Sequence, residues 1–454
     1  MESSHLLQRK AQLQNRLPWK ALLEQPLRSQ AQAAALCVSE RMCNPEGVQQ
    51  IAQLAKKQHS LSITWDLMHP CDVAELALFY HYVSLHFPEH HWQRTARRYL
   101  HLISVSSQQR SLVSPSLFGG ISGVAFVIQQ FNETGQRYQQ TFAHLHQAIA
   151  EQVHTHSSWH LPLTIGVAES DFDLISGASG ILGYLVSLPS PDSMLSETVH
   201  HLLDYLIALA APGQERWVCL PSLFEAELDR QFYPYGRFNC GFAHGIPGPL
   251  AALSLAVLAG YDCPGLREAL LSLSDWLVHH QLQDEWGITW PVAIPCELAS
   301  SPMQWRTLPA ARTAWCYGAP GVARSLWLAG KALSDEHLMQ IALEALKAVL
   351  RRPVSKRHID SPNLCHGIAG LLLICLRFAH ESQDTFLIEQ IPLLVEQILA
   401  QFDSQSPFGF RDLEAEGIQV DQPDFLTGAP GTALALLAAS SDIAPSWDRL
   451  LLLS

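Results

Sequence analysis

An all-α fold, an α/α toroid in which a ring of apolar helices sits inside a ring of amphipathic ones, is what this sequence predicts. Three observations lead there. A GxxG turn followed by an apolar run recurs six times, as FGGISGVAFV, ISGASGILGYL, AHGIPGPLAAL, CYGAPGVARSL, CHGIAGLLLIC and LTGAPGTALAL. Amphipathic stretches with helical period separate these turns. Runs of β-branched residues alternating with period two are sparse. The first glycines, Gly120, Gly177, Gly245, Gly318, Gly367 and Gly428, lie 49 to 73 residues apart. Each interval has room for two helices and their loops, the signature of a helical repeat.

From the N-terminus, residues 1–70 carry no motif and read as a helical extension or peptide-binding segment, with the toroid domain spanning 71–454. The stretch from Ser193 to Leu209 turns Leu195, Val199, Leu202, Leu203 and Leu206 to one face and reads as an outer helix. Pro249 to Leu258 and Ile368 to Cys375 are apolar or small on nearly every side, as a helix buried all round must be. A further outer helix is expected to start at Ser334 as N-cap, to bury Leu338, Ile341, Ala342, Ala345 and Val349, and to stop before Pro353.

Composition narrows the function. The chain has 454 residues, 48% of them hydrophobic, and a formal charge of -13, which disfavours nucleic acid as a partner. The N-terminus lacks the apolar core of a secretory signal, and the longest apolar stretch, Pro249 to Gly260, is short of the ~20 residues that cross a bilayer. Ten cysteines over so long a chain do not form a dense disulfide framework, so free thiols in a reducing cytoplasm are expected.

Alignment of the six turns on their first glycines concentrates the chemistry in one slot. Two residues before the glycine stand Phe118, Ile175, Ala243, Cys316, Cys365 and Leu426, and one before it stand Gly119, Ser176, His244, Tyr317, His366 and Thr427. In a closed ring equivalent slots share one end. Cys316, Cys365 and His366 then meet as two thiols and an imidazole, a set suited to catalytic zinc with one open position. The alternative is two small core residues beside a hydrogen-bonded turn histidine. His244 fills the histidine slot of a turn without a cysteine and is a candidate general acid or base. Asp173 reaches the same opening or is a helix-capping carboxylate. Arg312 either holds an anionic group or pairs with an acidic neighbour. His144, His146, His154, His156 and His160 crowd one region with the spacing of a solvated helix and loop.

The stretches AHGIPG, WCYGAPG, NLCHGIAG and DLISGASG, within turns that run from Gly119 to Gly431, closely resemble the lanthionine synthetase C family, the cyclases of lanthipeptide biosynthesis. The resemblance implies about seven helical hairpins and one zinc ion held by Cys316, Cys365 and His366. It implies a Michael-type addition in which a precursor-peptide cysteine attacks a dehydroalanine or dehydrobutyrine to form a lanthionine or methyllanthionine ring. His244 and Asp173 match the family's histidine and aspartate, and Arg312 and Tyr317 the arginine and tyrosine around WCYG. The partners implied are a dehydrated precursor peptide, a separate dehydratase and a transporter, with peripheral association to a membrane complex. Cys240 in RFNCGFAHG stands where the family carries a non-thiol residue, and is expected to be a spectator. Two rival readings are a zinc-dependent prenyltransferase subunit, which calls for a cationic diphosphate pocket, and a non-catalytic protein that captures thiol peptides or glutathione on zinc.

Overall fold

Two hydrophobic patterns give two kinds of helix. Residues 178–185 and 429–440 are buried along their whole length, whereas residues 336–351 bury Leu338, Ala342, Ala345, Leu346 and Val349 beneath a solvated face. The first kind has to pack around a centre and the second has to cover it.

The structure is a computed structural model and describes residues 18–59, 65–132, 137–161, 165–189, 191–213, 216–413 and 417–454. Of the extension expected over 1–70, residues 1–17 and 60–64 lie outside the described residues. After α1 (Leu27–Met42) and α2 (Pro45–His59) come α3 (Pro70–His86) with α4 (Trp92–Gln109), α5 (Ile121–Gln130) with α6 (Gln139–Thr155), and α7 (Ala178–Leu185) with α8 (Ser193–Leu209). There follow α9 (Pro247–Ala259) with α10 (Leu266–His279), α11 (Ala319–Leu333) with α12 (Glu336–Arg351), α13 (Ile368–Ser382) with α14 (Thr385–Leu399), and finally α15 (Ala429–Ser440).

The helices α3, α5, α7, α9, α11, α13 and α15 pack one on the next, and α15 returns to α3, which closes the inner ring. Each of the first six is covered by the helix that follows it; α15 is covered by α1. The seventh hairpin is therefore assembled from both ends of the chain. Its seam is polar: Trp19 Nε1, Leu22 N and Gln32 Nε2 donate to the carbonyls of Ala438, Ala439 and Ser440 at 2.9, 3.1 and 3.0 Å. These are among the last carbonyls of α15, which have no partner within their own helix.

Helix α8 occupies the predicted range and buries all five predicted residues. The start of α12 differs from expectation by one residue. Ser334 is left-handed, φ 57°, and terminates α11, while the Asp335 carboxylate accepts from Leu338 N and is the N-cap. Strands among the described residues form three two-stranded antiparallel pairs, β1 (Arg237–Asn239) with β4 (Ala293–Pro295), β2 (Leu282–Gln283) with β3 (Ile288–Thr289), and β5 (Asp412–Leu413) with β6 (Gln419–Val420), beside a single bridge between Cys219 and Arg237. No described helix is long and apolar enough to cross a membrane.

Candidate active site

Glycine is required in the turns by crowding. A Cβ on Gly180, Gly370 or Gly431, the second glycine of its motif, would lie 2.0–2.1 Å from the carbonyl oxygen six residues earlier. On Gly318 it would lie 1.7 Å from the Arg312 carbonyl, at a φ of +103° that L side chains rarely adopt. This close folding brings the slot residues within reach of their neighbours. Phe118 N donates to Ile175 O, Ala243 N to Cys316 O, Cys316 N to Cys365 O, and Cys365 N to Leu426 O, at 2.9 to 3.2 Å. Leu174 N, beside Ile175, completes the series on Ala243 O at 3.1 Å. The equivalent slots of six turns are thus stitched in order around one mouth.

The unit of α3 and α4 has no GxxG turn, and side chains make its stitches. Glu75 Oε2 accepts from Phe425 N at 2.8 Å, and the Cys71 thiol reaches Gly120 O at 3.6 Å. Both side chains come from α3, which starts with Pro70 at its first turn.

On one side of the mouth β1 leads into the turn that carries His244. His244 Nδ1 and Asp173 Oδ2 are 2.6 Å apart, and Asp173 Oδ1 accepts from Ser176 N and Gly177 N at 2.7 and 2.8 Å. Asp173 therefore ties the turn ahead of α7 and holds the imidazole, while α7 itself, with Gly177 as N-cap, has no side-chain cap. The carboxylate is buried and the imidazole 42% exposed, which leaves Nε2 as the nitrogen available to a ligand. Burial opposes charge on His244, but the hydrogen bond and charge of Asp173 outweigh it and hold its pKa above the ordinary imidazole value. The Tyr317 ring lies 6.5 Å from that of His244, and its hydroxyl accepts from Asn239 Nδ2 at 3.2 Å.

Across the mouth the Cys316 and Cys365 side chains hydrogen-bond to each other, and Cys316 feels the charges of His366 and Arg312. The shared hydrogen bond acts first: it makes one thiol of the pair easy to ionise and the second hard. His366 Nε2 lies 3.1 Å from Asp412 Oδ1 on β5. Burial alone would raise the Asp412 pKa, but the His366 hydrogen bond and charge hold it below the usual carboxylate value. Arg312 is exposed, and its charge disfavours protonation of both Cys316 and His366. No acidic partner pairs with it among the described residues.

The three predicted zinc donors are thus neighbours. They are a neighbourhood rather than a formed shell: among the described residues no three His, Cys, Asp or Glu side chains are arranged to hold a metal ion. The chemistry of the donors nonetheless suits zinc. The thiol pair gives up its first proton readily, and the imidazole turns Nε2 toward a carboxylate, which keeps Nδ1 outside that bond.

The remaining sequence candidates disperse. His146 bonds the Tyr184 hydroxyl at 2.8 Å and His156 stacks on Trp159, while His154 and His160 approach His201 of α8, with ring centres 4.9 and 5.8 Å from it. Cys240 is fully buried with its thiol on the Phe238 carbonyl at 3.7 Å, and burial pushes its pKa up. Sequence reasoning missed Asn239, Asn363 and Asp412. The two asparagines stand inside the stretches RFNCGFAHG and NLCHGIAG, but an amide there carries no chemistry of its own to mark it. Asp412 has no motif around it, and only the fold delivers it.

Comparison with known proteins gives concordant results. The sequence profile described as lanthionine synthetase C-like protein matches residues 73–452. The nisin biosynthesis protein NisC of Lactococcus lactis subsp. lactis is 26% identical over 330 residues, an alignment covering 70% of this chain and 76% of that protein. The fold matches the solved structure of a nisin cyclase with a TM-score of 0.73 at 22% identity, over 90% of this chain and 97% of the other.

Proposed function

The chain belongs to the lanthionine synthetase C-like family, and from that premise we propose that it is a zinc-dependent lanthipeptide cyclase. It joins a cysteine thiol of a precursor peptide to a dehydroalanine or dehydrobutyrine of the same peptide. The observation that carries the reading is the stitched mouth, in which Cys316 and Cys365 are consecutive slots and the slot before them leads directly into His244.

Zinc held by Cys316, Cys365 and His366 would act as a Lewis acid that makes an incoming thiol acidic enough to lose its proton at neutral pH. The sulfur then forms a bond to the β-carbon of the dehydro residue, and the electron pair of the carbon–carbon double bond moves to the α-carbon and its carbonyl as an enolate. Arg312, exposed at the mouth, supplies a fixed positive charge for that enolate. His244 delivers a proton to the α-carbon. Asp173 favours the charged imidazole and holds Nδ1, so the proton to be donated sits on Nε2. The thiol's proton goes to solvent or back to His244, and the sum is addition of S–H across the double bond. Tyr317, held by Asn239, lies beside His244.

Incubation with a dehydrated candidate precursor followed by thiol alkylation and mass spectrometry tests this. Ring closure leaves no alkylatable thiol on the product. A peptide that binds but remains fully alkylatable after release would establish the rival reading, a zinc protein that captures thiols without reaction.

A further inference from the structure

The Asp412 side chain is the feature of the mouth that neither the sequence motifs nor the reaction accounts for. It is 1% exposed, and all its hydrogen bonds fall on one oxygen. Oδ1 takes Ser361 Oγ at 2.7 Å, Asn363 Nδ2 at 2.6 Å, Leu413 N at 2.8 Å and His366 Nε2 at 3.1 Å, while Oδ2 is buried with no partner. A buried carboxylate that leaves one oxygen bare concentrates its charge on the side facing His366.

His366 Nε2 has two neighbours that ask opposite things of it. Asn363 Nδ2 lies 2.9 Å away and can only donate, which would require a bare Nε2 and put the ring proton on Nδ1. The Asn363 amide cannot be turned to relieve this, because its Oδ1 accepts from His366 N at 2.9 Å. Asp412 Oδ1 can only accept, which requires the proton on Nε2 and frees the Nδ1 lone pair. A charge-assisted hydrogen bond is about twice as strong as a neutral one, so the carboxylate prevails. Asn363 then donates from Nδ2 to Asp412 Oδ1.

We propose that Asp412 is a positioning residue that fixes His366 as the Nε2–H tautomer and so makes Nδ1 the nitrogen able to ligate the metal. The inference rests on the zinc reading above. It assigns β5 and β6 a purpose: the hairpin carries the carboxylate from the connection between α14 and α15 to the back of the ligand histidine.

Two measurements on the full-length chain test it. Zinc is titrated away with a chelator of known affinity from the wild type and from Asp412→Asn, with thermal melting of the metal-free proteins as the control for folding. The substitution keeps the shape and the Oδ1 acceptor but removes the charge that lets it outcompete Asn363, and zinc affinity should fall about 10- to 100-fold while the metal-free melting curve stays near that of the wild type. Equal affinity in the two proteins overturns the role of Asp412 and leaves the zinc reading intact. A wild type that takes up no stoichiometric zinc overturns both. In case the variant does not fold, ¹⁵N spectra of the metal-free wild type, with His366→Gln to assign the signal, decide the matter alone. A proton on Nε2 supports the role, and a proton on Nδ1 refutes it.

Discussion

At the scale of single residues the account separates acid from ligand. His244→Ala is predicted to cut ring formation by about 10²- to 10⁴-fold, the usual contribution of a positioned general acid, with bound zinc unchanged. Elemental analysis beside the alkylation assay checks both halves. Asp173→Asn can still accept Ser176 and Gly177 N–H through Oδ1, so the turn survives, but the charge that raises the His244 pKa is gone. A proton donor works below its pKa and fails above it. The alkaline limb of the wild-type rate profile therefore lies above the ordinary imidazole value of about 6.5, and in Asp173→Asn it should move down toward that value. An unmoved limb would show that His244 is not the donor. How much of this was legible in sequence depended on spacing: Cys316, Cys365, His366, His244 and Asp173 all stand at fixed offsets from a glycine turn. Asp412 stands at none, and its relation to His366 exists only once the ring is closed.

At the scale of elements the turns carry the argument, because a GxxG motif here is a demand for missing atoms. Gly370→Ala places a methyl group 2.0 Å from the Leu364 carbonyl oxygen and 3.1 Å from Trp315 Cβ, next to both cysteine slots. Overpacking of that kind costs roughly 1–3 kcal/mol or more. Gly119→Ala meets nothing within 4 Å and suffers only its left-handed φ of +71°, about 1–2 kcal/mol. Denaturant midpoints should rank Gly370→Ala as the more damaging, and Gly370→Ala alone should also weaken zinc binding, since the moved backbone carries Cys365. Six inner helices are readable from these turns and two outer ones, α8 and α12, from their period. The helix from Pro70 is not, because Glu75 and Cys71 replace the turn's backbone contacts with side-chain ones. Helix α12 starts one residue later than the sequence predicts because Asp335, not Ser334, reaches the free N–H of Leu338.

At the scale of the molecule the ring is closed by contacts between distant parts of the chain, and these are polar and buried. Asp448 is fully buried and bidentate with Arg377, with Oδ1 2.7 Å from Nη2 and Oδ2 on Nε. Removing one partner of such a pair strands the other, so Asp448→Ala is predicted to destabilise by about 3–5 kcal/mol, measured by chemical denaturation. Glu381 binds Arg324 at 2.6 Å, Lys331 at 2.8 Å and Trp327 Nε1 at 2.8 Å, across α11 and α13. Burial would raise its pKa, yet the charges of Arg324 and Lys331 outweigh burial and hold it far below the ordinary value. Its contribution is therefore complete above the unfolded glutamate pKa of about 4.3 and is lost as pH falls toward the depressed folded value. Glu381→Gln should flatten the acid limb of a stability–pH curve.

The central claim, that two slots of adjacent repeats and the histidine after them form one metal centre, is tested most directly by zinc-edge X-ray absorption on the purified chain. The account predicts one zinc per chain with two sulfur neighbours at about 2.3 Å and lighter ones at about 2.0–2.1 Å. Absence of stoichiometric zinc, or a shell without two sulfurs, would contradict it.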